Sequence, residues 1–350
     1  MAKEIGSAEV VCIRRAQADL WEKEHHDVPH HIFEQHYPDS GRILQRIVPA
    51  LRFVRYAYAH MRKTRPKCIY VSGFESLIAA SLYRVMKPKT ILISEVGDLR
   101  ELYTRDSFLS KRILLTLNKV LYARVSLLVI TSEKFYEQYY QHLISREKVV
   151  VEHNIPVLDA FKSYVRKSKG KYTVGFIGAV RYIEQLKMLI KSTARLPVDV
   201  LIAGGGENDS VFDEIKRFSS SYTHVRITGK YNYSSDIADL YGAIDCVYAV
   251  YDADLLNVRI ALPNRLYEAA YCGLPIIVAK RTYLSDIVQK YSLGYAVEHD
   301  NEAELTAVIQ NLLENSDITD TFEHAGRAFM DTIAASGVDI HLRRLIGNDA

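Results

Sequence analysis

The sequence has no apolar run of 18 residues and no basic, apolar, small-residue leader at its start. A membrane-spanning helix and a cleaved secretion signal are therefore not expected, and the cytoplasm is the expected compartment. Cysteine is scarce. Cys12, Cys68, Cys246 and Cys272 lie in or beside apolar runs, at no metal-like spacing, so buried free thiols in a reducing compartment are expected. Acidic residues are missing between Arg42 and Lys67, a stretch that holds eight Lys and Arg. The gap belongs to a wider asymmetry: residues 1–155 carry 24 basic against 17 acidic side chains, in a chain whose net charge is +3. The first half is thus expected to face an anionic surface or substrate. With 48% hydrophobic and 25% charged residues, the 350-residue chain is globular and long enough for two domains of ordinary size.

What is present is an alternation of strand and helix signals, run through twice. Met1 to Gly6 reads as the last turns of a helix and Glu9–Ile13 as a strand. From Arg14 to Ser40 the chain is polar and crowded with His25, His26, His30, His31 and His36. Asp27 and Glu34 are close, but no carboxylate or cysteine stands at a structural-site spacing, so a solvated loop and no metal site are expected. A helix over about Gly41–Lys63 follows, with Ile43, Ile47, Leu51, Val54, Tyr58 and Met61 on one stripe. Pro49 should kink or split it. Arg42, Arg46, Arg52, Arg55 and Arg62 flank or oppose that stripe, either in water or facing anionic lipid. Strands are expected at 67–71, 89–94, 126–130 and 148–151, and in the second half at 172–178, 199–203, 225–229, 246–250, 276–279 and 295–297.

The stretch Arg259 to Lys280 carries the most chemistry. Pro263 opens a helix, Gly273-Leu-Pro275 stops it, and Ile276–Ala279 is an apolar strand without alternation, the signature of a unit feeding a parallel sheet. Main-chain amides at such a helix start attract phosphate. Arg265 offers a fork of donors beside them, and Glu268 can accept two hydrogen bonds from a sugar diol. In a parallel sheet the loops at the carboxyl ends share one edge, so Gly178–Arg181, Gly204–Asn208 and Arg259–Glu268 should be neighbours, with the glycine turns letting a phosphate approach the backbone. The same residues would also serve as an ordinary surface helix of an α/β domain.

These residues resemble the sugar-nucleotide site of retaining glycosyltransferases of the GT-B fold, family 4 and its group 1 relatives. The resemblance covers roughly residues 65–310. It implies an α/β chain of GT-B architecture, two Rossmann-like parallel-sheet domains facing across a cleft: an acceptor-side domain over residues 1–157, a nucleotide-sugar domain over 158–335 and a tail over 336–350. It further implies that Gly178, Gly204, Gly205, Tyr231, Pro263, Asn264, Arg265, Leu266 and Glu268 bind the donor. Arg181 and, displaced from its usual place, Lys187 would stabilise the leaving diphosphate, while Glu95 and Asp98 would orient the acceptor. Three departures stand out. Ile260 occupies the position of the first acid of the family's pair, Gly97 that of its histidine, and the relatives' first strand and glycine-rich loop are missing. The first sheet is therefore expected to be short of a strand that another segment or subunit fills, unless the chain is truncated.

The implied reaction moves a sugar from a nucleoside diphosphate sugar to a hydroxyl of a glycan or glycolipid in surface polysaccharide synthesis. No tightly bound cofactor and no metal are expected, since Asp252–Asp254 has the DxD spelling in the wrong domain context. The implied partners are the donor, a lipid-linked acceptor, an anionic inner membrane face and a homo-oligomer or second protein that completes the first sheet; nucleic acid is not among them. Two alternatives remain open at this point, a degenerate homologue that binds without turnover and a nucleotide-sugar epimerase of the same fold.

Overall fold

The computed structural model describes residues 8–13, 28–34, 43–99, 108–167, 170–205, 209–315 and 319–334. The expectations for Met1–Gly6, His25, His26, Asp27, His36, Gly206–Asn208 and the 336–350 tail lie outside these residues.

The first half begins with β1 (Val10–Ile13) and β2 (His30–Phe33), which pair parallel to each other. β2 lies inside the segment read as a loop. Its His-His-Ile-Phe sequence is too polar to register as a strand until β1 and a helix cover it. That helix, α1 (Ile43–Thr64), runs as one helix with Pro49 inside, so of the two expected outcomes, a kink or a split, the split does not occur. Pro49 is early in the helix and removes only one interior hydrogen bond. Four more parallel strands follow in sequence order, β3 (Cys68–Ser72), β4 (Ile91–Val96), β5 (Leu127–Ile130) and β6 (Val149–Val151). They are linked by α2 (Phe74–Met86), α3 (Phe108–Tyr122) and α4 (Glu133–Gln138). Among the described residues β1 and β2 form a sheet separate from β3–β6, so the first half is a divided sheet.

The second half is a six-stranded parallel sheet. Its strands are β7 (Tyr172–Ile177), β8 (Val198–Ala203), β9 (Val225–Gly229), β10 (Cys246–Ala249), β11 (Ile276–Ala279) and β12 (Gly294–Val297), in the order β12-β11-β10-β7-β8-β9. One face carries α5 (Ile183–Thr193), α6 (Asp209–Ser219) and α11 (Glu302–Glu314). The other carries α7 (Tyr233–Gly242), α9 (Asn264–Tyr271), α10 (Tyr283–Lys290) and α12 (Thr319–Ala334). Both faces being covered explains why the inner strands β10 and β11 read as unbroken apolar runs. The strand order reverses between β7 and β10, and a crevice opens at such a switch point beyond the carboxyl ends.

A second element, like β2, lies where a loop is expected. Residues 251–260, read as a loop, contain the short helix α8 (Leu256–Ile260). It belongs to the second half by connectivity, yet Ile260 is buried in the apolar core of the first, with Leu256 and Ala261 packed beside it. Ser132, the cap of α4, donates from Oγ to the Ile260 carbonyl (2.5 Å).

Candidate functional site

The switch point is built mainly from backbone. Gly178 N donates to Ala203 O (2.8 Å), Gly204 N to Gly229 O (2.8 Å) and Val180 N to Gly205 O (2.9 Å), which ties the ends of β7, β8 and β9 together. Gly178 and Gly204 have φ of +132° and +141°, where a side chain is strained. A methyl group on Gly204 would overlap the Gly178 carbonyl, and one on Gly178 would overlap the Arg265 guanidinium. The glycines are therefore there for close approach, first of the chain to itself and then of an arginine to the chain.

Arg265 reaches this turn from the first turn of α9. It is only 8% exposed. Its Nε donates to Ile177 O and one Nη donates to the Tyr251 hydroxyl (2.5 Å), so it bridges the ends of β7 and β10 at the reversal. Its guanidinium carbon lies 3.9 Å from the centroid of the Phe176 ring. A buried cation held this way keeps its place without a ligand. The start of α9 has Pro263 as N-cap and no side-chain cap; Leu266 N donates to Pro263 O (3.1 Å), which leaves the amides of Asn264 and Arg265 without a main-chain acceptor among the described residues. Leu266, one turn in, is fully buried and anchors the helix to the sheet. Behind it, Gly326 of α12 packs so closely that a methyl group there would overlap Ala270 O.

Glu268 is 4% exposed. Tyr233 donates to its Oε1 (2.9 Å) and Tyr241 to its Oε2 (2.5 Å), both from α7. Burial raises its pKa, while the two hydroxyls and the Arg265 charge act to lower it. The sequence expectation was a carboxylate free to take a diol. In the structure each oxygen already has a tyrosine partner, of which Tyr233 is half-buried and Tyr241 fully buried. Tyr231, in the loop after β9, is half-buried against the same core.

The remaining expected residues scatter. Arg181 is exposed just past the Gly178 turn, where its charge acts on the Tyr182 and Tyr251 hydroxyls. Lys187 is turned to the helices instead. Its ammonium pairs with Glu184 (2.8 Å) and Glu214 (2.7 Å) and lies 5.7 Å from the Phe218 centroid. Asp98 is exposed and accepts from Asn257 Nδ2 (3.3 Å) across the junction of the halves. Glu95, at the end of β4, acts on the hydroxyl of Tyr70 on the neighbouring strand, so the two acids do not share a partner. Two further contacts cross the junction: His153 Nδ1 meets the Tyr267 hydroxyl (2.9 Å), and Asn154 donates to Asn264 Oδ1 (3.4 Å). Nothing local marks His153, since its partner is 114 residues away.

Comparisons with known proteins bear on the fold that carries these residues. Residues 171–315 match the family model described as Glycosyl transferases group 1. Over 291 residues the chain is 25% identical to the "Succinoglycan biosynthesis protein ExoL" of Rhizobium meliloti (strain 1021), covering 79% of this chain and 72% of that one. Among solved structures it resembles Anabaena Alr3699/HepE in complex with UDP and glucose, with TM-score 0.67, 15% identity and coverage of 97% and 98% of the two chains. It also resembles a glycosyltransferase from Rickettsia africae ESF-5, with TM-score 0.69, 13% identity and coverage of 96% and 88%. The fold is thus GT-B, as expected from the sequence.

Proposed function

We propose, starting from the premise that the chain is a group 1 glycosyltransferase with the GT-B fold, that it moves a sugar from a nucleoside diphosphate sugar to a hydroxyl of a glycan or glycolipid, with retention at the anomeric carbon. The observation that carries this reading is the buried Arg265 at the strand reversal, beside an uncapped helix start and one turn before a buried carboxylate. The diphosphate rests on the amides of Asn264 and Arg265 after Pro263, against the turns at Gly178, Gly204 and Gly205, with Leu266 anchoring the helix behind them and Arg181 closing over it. Charge growing on the leaving diphosphate then meets fixed donors in a crevice between two sheets, the main catalytic need of the step. The ribose diol takes the Tyr233 hydroxyl's place on Glu268, and the Tyr231 main chain meets the base. Lys187 has a part only by leaving Glu184 and Glu214. Asp98 and Glu95 remain the acceptor-side groups of this reading.

Two similar proteins support its two ends. HepE is described in complex with UDP and glucose, which fits a uridine donor, and ExoL with succinoglycan biosynthesis, which fits a surface polysaccharide product. Among the described residues no helix is long and apolar enough to cross a membrane. The acceptor is met instead by docking: Ile47, Val48 and Leu51 of α1 and Leu82, Val85 and Met86 of α2 are exposed, with Arg52, Arg55 and Arg62 exposed along α1. Tyr58 of α1 donates to Met86 Sδ (2.7 Å), which joins the two helices at this patch. Apolar side chains rimmed by arginines suit an anionic bilayer surface.

The test is a melting-shift screen of UDP sugars, followed by donor hydrolysis and transfer with the wild type and with Arg265→Ala. Binding and turnover lost together in the variant support the reading; an unchanged nucleotide affinity removes it. One observation favours a second reading, a donor-binding protein without turnover. Ile260, where the family's first acid would stand, is 5% exposed and is spent on packing between the halves. Tight donor binding with no turnover in the wild type would select it.

A further inference from the structure

Alternation along β1 and β2 turns Val11 and Phe33 toward α1, where both pack on the first-half core. The Phe33 ring meets Phe53 (centroids 5.9 Å) and Tyr56 (5.3 Å). Glu9 and His31 each lie two residues before these positions and so continue the same face. His60 lies one turn beyond Tyr56 and continues the helix side of the contact, with its ring centroid 4.3 Å from that of His31. Three donor atoms converge there. Glu9 Oε2 is 2.8 Å from His60 Nε2 and 3.2 Å from His31 Nε2.

We propose that Glu9, His31 and His60 form a binding site for a divalent cation of the zinc class, which fastens the β1–β2 pair to α1. Bonds of about 2.0–2.2 Å to nitrogen and oxygen in a tetrahedron give ligand separations of roughly 3.3 Å. The two separations, 2.8 and 3.2 Å, lie within about half an ångström of that figure, with one carboxylate oxygen serving both imidazoles in the cation's place. Two neutral imidazoles and one carboxylate are a borderline donor set that suits zinc over magnesium or calcium, which take oxygen. Side-chain exposures of 40% for Glu9, 38% for His31 and 15% for His60 leave a route in and room for water as a fourth ligand.

The site also answers a structural need. Two parallel strands of four residues each fall below what a sheet needs to hold itself together. A cation bound by residues from both strands and from α1 would join three segments far apart in the chain. The other converging group, Asp252, Asp254 and His299, fits less well. There the two acids approach different nitrogens of one ring, at 3.5 and 3.8 Å, and Asp254 is 77% exposed.

The test is titration of the metal-free full-length chain with Co²⁺ and Zn²⁺. One equivalent of Co²⁺ should give the visible bands of a tetrahedral nitrogen–oxygen site without sulfur charge transfer, and Zn²⁺ should displace it. Glu9→Gln, His31→Gln and His60→Gln should each weaken binding by about 10–100-fold or more. Cys12→Ser, on β1 close after Glu9, should leave it unchanged. Zn²⁺ should also slow proteolysis before α1 in the wild type and not in Glu9→Gln, whose side chain is exposed enough for the fold to survive the change. No stoichiometric binding, equal binding by wild type and the three variants, or a sulfur signature lost in Cys12→Ser would each overturn the assignment.

Discussion

The two halves of the molecule hold their polar side chains in opposite ways. In the second half, Arg265 and Glu268 are buried, each with two or more partners, and the glycine turns beside them are fixed by main-chain hydrogen bonds. In the first half, Asp98 is exposed with one long hydrogen bond to Asn257, and α1 shows its arginines to solvent. A site made of buried, pre-placed groups suits a ligand whose chemistry does not vary, as a nucleoside diphosphate does. An exposed, loosely held set suits one that does, as acceptors do. The six-stranded and divided sheets follow the same division: the half with both faces sealed holds the buried polar groups.

The largest effect should come from the fixed side. Arg265→Ala should cost about 3 kcal/mol of UDP affinity, more than a hundredfold by calorimetry, because the diphosphate then lacks its buried cation. A loss below tenfold would put the diphosphate elsewhere and dissolve the contrast. Gly204→Ala should come next, destabilising by about 2 kcal/mol through the forced φ and the overlap with Gly178, read as a lower unfolding midpoint. An equal change at the exposed Gly97, where a methyl group meets nothing, should be nearly neutral.

On the exposed side, replacing Arg52, Arg55 and Arg62 by Gln should lower binding to anionic liposomes about tenfold while leaving UDP affinity alone. Equal sedimentation of both proteins would remove the docking face. The smallest effect belongs to the junction. Burial lowers the pKa of His153 from its ordinary 6.5. The folded state therefore resists protonating it, so its contribution is whole above about pH 6.5 and is lost as pH falls from there toward the folded value. Comparing unfolding midpoints of wild type and His153→Asn across pH 7.5 to 5 should show a steeper fall in the wild type, by less than about 1 kcal/mol.

Most of the architecture could be read from the chain, because fully buried parallel strands and helix stops leave local marks. Ile276–Ala279, the Gly273-Leu-Pro275 stop and the turns at Gly178 and Gly204 are of this kind, and the structure finds them at the expected places. The misses have one physical cause, contact between residues distant in sequence. Nothing around Tyr233 and Tyr241 announces that their hydroxyls close on Glu268, about 30 residues on. β2 makes sense only once Phe33 lies on α1, and Ile260 only once α8 reaches the other half. Lys187 was the exception, since Glu184 one turn before it was a local sign of a different engagement.

Ile260 has a dynamic consequence. A residue of the second half seated in the apolar core of the first, with its carbonyl held by Ser132, works as a ball in a socket. Any motion that widens the space between Asp98 and the Gly178 turn must roll about that seat or unseat it. Unseating one buried isoleucine costs about 1.5–3 kcal/mol, which limits a fully parted form to roughly a few per cent of molecules. Entry and exit of large molecules would then proceed by rolling, with the short segment 256–260 as its bearing.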